Sequence, residues 1–271
     1  MSFSRSFLHR HLREAMAFRF SFALDIITTC SSLLVFFLID RYQGILFGPR
    51  LGELTARLGT SYFGYVAVGL AVSELANAGL DGVVNDFRRE RAQGTLAYLL
   101  GKGVSIHKWA AVSGLVHFAR SLFRFLLILL LVIFAFRFTI PSFSAVSAFT
   151  ILLLAAPGLW ALSVISMAGT IFFRRGNPVG FVLGLVFEIL GGVYVPPEAL
   201  PGFLPEVARL LPMGLAVEAM QKVVYGGAGL WELSPLLTRL CWINGIFMAM
   251  AWVLLEMADR FARRRGLYCL N

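Results

Sequence analysis

The sequence predicts an all-α integral membrane protein of about six transmembrane helices, and three observations lead there. Of the 271 residues, 58% are hydrophobic and only 14% charged, with a mean hydropathy of +0.78. A soluble domain carries about 25% charge, and so little polar surface cannot cover a water-soluble globule. The apolar residues are also gathered into runs of the length a helix needs to cross a bilayer, about 20 residues. Finally, the basic residues collect at the ends of those runs, where they serve as topology signals and as contacts to lipid headgroups. The formal net charge of +9 therefore points to membrane lipids. It does not point to nucleic acid, because no basic stripe with interleaved aromatics lies outside the apolar segments.

Residues 1–19 open the chain as an amphipathic helix. Phe3, Phe7, Leu8, Leu12, Ala15 and Met16 recur at helical spacing, with Arg5, His9, Arg13 and Glu14 opposite. Such a helix, with aromatics on its apolar face, lies in the headgroup layer. No small-residue cleavage site follows it, so it is not read as a cleavable signal. Six spans come next, over residues 20–39, 62–84, about 112–136, 145–173, 179–195 and 240–256. Pro157-Gly158 is expected to bend the fourth. The fifth is expected to stop at Pro196-Pro197, since proline cannot continue the helix.

An even number of spans places both termini on one side. Fifteen of the 24 Lys and Arg residues fall on that side and seven on the other, while Arg120 and Arg124 lie inside the third span. The bias puts both termini and residues 86–108 in the cytosol, and residues 43–59 and 196–238 outside. The expected location is the cell's inner (plasma) membrane. No internal repeat marks two transporter halves, and residues 1–271 read as one domain.

Ionisable groups inside spans are costly and mark candidate sites. Asp25 lies in the first span; Glu74, Asn77 and Asp81 follow one face of the second; Arg120 and Arg124 share a face of the third. At 1.5 Å per residue, Glu74 lies about 18 Å from the outer end at Tyr62, and Arg124 about 20 Å from the outer end at Arg137. The two are therefore at a depth to pair, either as a buried ion pair that fixes packing or as the polar lining of a path. Glu188, in the fifth span, either faces a central cavity between two copies or bonds within the bundle. Cys30, Cys241 and Cys269 form no C-x-x-C and imply neither disulfide framework nor zinc site. His107 and His117 have no further ligand at metal spacing, so no metal is expected. No Ser/His/Asp set or H-E-x-x-H marks an enzyme.

The cytosolic stretch from Asp86 to Leu100 joins a charged half to an apolar half through Gly94. Leu96, Leu99 and Leu100 make an apolar face at helical spacing. That face is expected to seat in a groove on another protein, with Glu90 beside it in water; the alternative is an ordinary surface helix. The nearest approach to a phosphate-binding loop ends Gly101-Lys102-Gly103. It has Leu96 where glycine is needed and Gly103 where a hydroxyl is needed. Energy must therefore come from a partner or from an ion gradient.

The run Arg89-Glu90-Arg91-Ala92-Gln93-Gly94-Thr95-Leu96, followed by Leu99-Leu100, resembles the type-2 ABC exporter permeases. That family usually continues with a Pro-hydrophobic-Ser step, where this chain reads Gly103-Val104-Ser105. A second match runs from Gly191-Gly192-Val193-Tyr194-Val195-Pro196 through Leu200-Pro201 and Leu210-Leu211-Pro212 to Glu218 and Gly226-Gly227. It is similar to the family's fifth helix and the re-entrant extracellular helices before the last span. The resemblance implies a permease without a cofactor of its own. Two ABC ATPase subunits would bind ATP and Mg, and a second permease copy would complete a homodimer. Arg89, Glu90, Arg91, Gly94, Thr95, Leu96, Leu99 and Leu100 would form the helix that couples to the ATPase. The implied cargo is hydrophobic or amphipathic: a drug, an antibiotic, a lipid or a lipid-linked glycan. The competing class is an ion-coupled secondary transporter that uses Glu74 and Asp81 as proton carriers.

Overall fold

The computed structural model describes residues 19–46, 60–135, 144–173 and 176–266. The expected interfacial helix, apart from Arg19, lies outside the described residues, as do most of 43–59 and Cys269. Among the described residues every regular element is helical. Four helices are long and apolar enough to cross a membrane: Tyr62–Ala92, Ile106–Phe134, Ala145–Phe173 and Ser234–Arg264.

In chain order, α1 is Arg19–Leu46 and α2 is Tyr62–Ala92. Ser61 begins α2 by accepting a hydrogen bond from the Gly64 amide at 3.2 Å, which satisfies one of the free donors at a helix start. Helix α2 runs eight residues beyond the expected end of the second span and closes with Arg89 and Arg91 in its last turn, where cations offset the helix dipole. A short helix α3, Thr95–Gly101, follows. Helix α4, Ile106–Phe134, is capped by Ser105, whose hydroxyl accepts from the Lys108 amide at 3.2 Å. It begins six residues earlier than the expected third span.

Helix α5, Ala145–Phe173, matches the expected fourth span. It is apolar all round, and helices of that kind are central: it packs against α2, against α4 and against three of the helices that follow it. Pro157 cannot donate within the helix. One residue away from the carbonyl it frees, Asn244 of the last helix donates to the Leu154 carbonyl at 2.7 Å. A methyl on Gly158 would sit 1.9 Å from the Asn244 side-chain oxygen, so glycine makes room for this contact.

Helix α6, Pro178–Leu190, is 13 residues long. Its cap, Asn177, accepts from the Gly180 amide at 3.0 Å and from the Ser166 hydroxyl at 2.9 Å. The expected fifth span reached Val195; the helix stops five residues sooner. Gly192 takes a positive φ of 69°, open to glycine at little cost, and turns the chain before Pro196 can. Its carbonyl accepts from the Tyr65 hydroxyl at 2.6 Å.

Three short elements follow: a 3-10 turn at Pro197–Ala199, α7 at Leu204–Ala208 and α8 at Pro212–Val224. Helix α8 is buried on nearly every side among α2, α5 and the last helix. The Tyr225 hydroxyl just after it donates to the Gly64 carbonyl at 2.7 Å. Burial pushes that hydroxyl's pKa up, which keeps the donor proton in place. Helix α9, Ser234–Arg264, closes the bundle. One apolar core lies among α2, α4, α5, α8 and α9. A second fills the Arg-rich end, among the last turns of α2, α3, the start of α4, and the ends of α5 and α9.

Candidate functional site

At the Arg-rich end, α2 breaks at Gln93-Gly94, α3 makes two turns, and Gly103 leads into α4. Gly94 has φ 72° with open space around it. Glycine is therefore required there by backbone conformation and not by crowding. Arg88, Arg89, Gln93, Tyr98 and Lys102 face outward. Tyr98 is 66% exposed, and the Lys102 ammonium lies 5.5 Å from its ring centroid.

Two expectations about this joint are corrected. Glu90 is not in water: it is 1% exposed, and its Oε2 accepts a hydrogen bond from the Trp109 indole at 2.8 Å. Leu96 is not a free plug for a partner: it is fully buried in its own chain, packed with Val83, Val84, Phe87, Ile106 and Trp109. Leu99 and Leu100 are half-buried against the same cluster. The physical reason is the return of α4 antiparallel to α2, which supplies an intramolecular face for the apolar side of α3. The Thr95 hydroxyl donates to the Glu90 carbonyl at 3.1 Å and closes the joint. Arg91 is half-buried.

One turn further along the α2–α4 seam lies a polar cluster that sequence reasoning missed. Asp86 Oδ2 accepts from the Ser113 hydroxyl at 2.9 Å and lies 2.9 Å from His117 Nε2. The two titratable side chains are 13% and 9% exposed. Gly82 lies flat against the imidazole: a methyl there would meet the ring at 2.3–2.7 Å. The available signal was spacing. Asp86 and Glu90 are four apart on one helix, and Trp109, Ser113 and His117 are four apart on the other, so each set lies on one face. His107, at the start of α4, instead meets the last helix, bonding Glu256 at 3.1 Å and stacking on Trp252.

Of the groups expected inside the membrane, Glu74 and Arg124 come together, with Nη1 3.3 Å from Oε2 and side chains 29% and 44% exposed. Asn77, Arg120 and Glu188 are half-buried and Asp81 is exposed. Asp25 lies on α1, and its side chain is outside the described residues. Near the other end, Pro196 and Pro212 are buried, Leu200 half-buried and Pro201 exposed. Glu218 pairs with Lys222 along α8 at 2.6 Å. Among the described residues no three Asp, Glu, His or Cys side chains gather as a metal site.

Long apolar helices with ionisable groups between them mark a helical membrane protein. The sequence matches the ABC-2 type transporter family over residues 3–225, and the chain belongs to that family. Membership makes it the permease subunit of an ABC transporter, in a family that has no ATPase of its own and pairs with an ABC ATPase subunit. No curated protein matches the chain.

Proposed function

We propose that this permease works as an exporter, two copies with two ATPase subunits carrying a hydrophobic or amphipathic substrate out of the cytoplasm. Drugs, antibiotics, lipids and lipid-linked glycans all fit an apolar path. The observation that carries the reading is the joint at residues 88–105. It presents a short outward face, Tyr98 and Lys102 at α3 and Arg88 on α2, and the inner face of α3 is packed against two long helices. ATPase closure pressing on that face has a rigid element to push. The exposed cations suit a partner groove carrying carboxylates, which would fix orientation more than affinity. The Lys/Arg asymmetry supports a cytosolic joint, cytosolic termini and an inner-membrane location. In that topology α1 and α6 complete six spans, and α7 and α8 dip back from outside. At 1.5 Å per residue, α6 covers only about 20 Å, so the turn at Gly191-Gly192 lies within the membrane's outer half. Helices α1 and α6 are assigned to the homodimer axis.

Two experiments test this. Labelling from outside should reach a cysteine placed at Gly52 and miss one at Gln93; the reverse pattern ends the model. The reconstituted permease–ATPase complex should hydrolyse ATP faster in the presence of an apolar or amphipathic compound. ATP turnover insensitive to a panel of such compounds, with a proton gradient driving uptake or efflux instead, would favour carriers at Glu74 and Asp81.

A further inference from the structure

The α2–α4 seam carries polar contacts in register with each other. Gly82, Asp86 and Glu90 are spaced by four on α2; Trp109, Ser113 and His117 are spaced by four on α4. The helices run antiparallel, so Glu90 meets Trp109 and Asp86 meets Ser113 and His117. Glu90, Ser113 and His117 are buried. The Trp109 ring also meets Phe87 edge-on at 6.1 Å between centroids. At the lower end the Thr95 hydroxyl and the buried Leu96 tie α3 to the same seam.

Apolar packing at this end of the seam supplies adhesion but no direction. Apolar contacts alone therefore leave a helix pair free to slide or roll. Hydrogen bonds to carboxylates are directional and stronger than neutral ones, and a series of them sets both register and rotation.

We propose that Asp86, Glu90, Trp109, Ser113 and His117 are positioning residues that make α2, α3 and α4 a single lever. The lever carries a push received at the Tyr98 face to the far end of α2, at Tyr62. This rests on the coupling role proposed for the joint. It also changes the role of Glu90, which acts through Trp109 and does not touch the partner. The lever spans the whole of α2, about 46 Å at 1.5 Å per residue.

The test uses the full permease–ATPase complex in nanodiscs, with Cys30, Cys241 and Cys269 changed to serine. Spin labels at Ser61 and Trp231 report the far end of α2 against the start of α9, with and without ATP and vanadate. The parent should show a nucleotide-driven distance shift. Glu90→Gln keeps an oxygen that accepts from the indole and should keep the shift. Trp109→Phe keeps a ring and loses the donor; it should retain the bound ATPase and lose the shift. A full shift in Trp109→Phe, or none in the parent, overturns the lever. Should Trp109→Phe fail to assemble, Ser113→Ala carries the test, with a diminished shift expected and an undiminished one refuting it. Tyr98→Asp separates the underlying reading: it should release the ATPase. If Tyr98→Asp stays bound like the parent, the docking assignment fails; if it dissociates while Trp109→Phe shifts fully, the lever alone fails.

Discussion

Replacing Leu96 with alanine separates a residue that serves a partner from one that holds its own chain together. Leu96 is fully buried and packed against Phe87, Ile106 and Trp109. Removing its branched end takes away the transfer free energy of those carbons and leaves a cavity, together about 2–5 kcal/mol for Leu→Ala. Half-buried Leu99 and Leu100 lie on the same short helix and can relax toward the gap, which favours the lower part of that range. At roughly 2–4 °C per kcal/mol for a chain of this size, the permease purified without its ATPase should melt at least several degrees below the parent. Tryptophan fluorescence in detergent follows this directly, because Trp109 borders the cavity. Leu99→Ala should cost less, since part of its surface is already open. The reasoning is refuted if isolated Leu96→Ala melts like the parent while ATPase co-purification is lost. That pattern would mean Leu96 swings out to fill a groove on the partner.

Gly82→Ala should drive the His117 ring out of place, since the added methyl would approach it to 2.3–2.7 Å. A cost of about 1–3 kcal/mol is expected for such overpacking. Gly101→Ala, which meets nothing within 4 Å, should melt unchanged or slightly higher, and equal melting points for the two would refute the packing argument. Glu74→Gln should lower the melting point, because it removes the carboxylate that Arg124 pairs with inside the bilayer, where taking away one partner of a pair held out of water costs about 3–5 kcal/mol; an unchanged melting point would show that the pair is wet. Asn244→Leu should destabilise by about 1–3 kcal/mol, read by melting, because the Leu154 carbonyl loses its donor in a place without water. An unchanged melting point would mean the helix around Pro157 holds without that bond.

How much was legible in the sequence depends on the range of the forces involved. The fourth span was placed to the residue, and its neighbours to within a turn or two, because apolar runs act locally. Ser61 and Ser105 cap α2 and α4 through their own hydroxyls, a signal that the expected span boundaries did not use. The Glu74–Arg124 pair was accessible from depth alone, since two straight helices in one bilayer share a ruler. The end of α6 was misjudged because two prolines were given more weight than the preceding Gly191-Gly192, although Gly192 takes the positive φ that turns the chain. Glu90 and Leu96 were misplaced for a different reason. A glutamate between arginines and a leucine after a glycine look the same in sequence whether they face water, a partner or their own chain. Only the return of α4 alongside α2 decides that.

The sequence by itself therefore determined a charge-poor helical membrane chain, the places of its main apolar helices and the break at Gly94. These follow from hydropathy and backbone preference, each acting within a few residues. The tertiary structure alone decided which carboxylates are buried, that Asp86 bonds Ser113 and His117, and that Leu96 belongs to the permease core. Burial is a property of pairs of surfaces. Asp86 and His117 are 31 residues apart, and no local pattern in either helix states which face the other will cover.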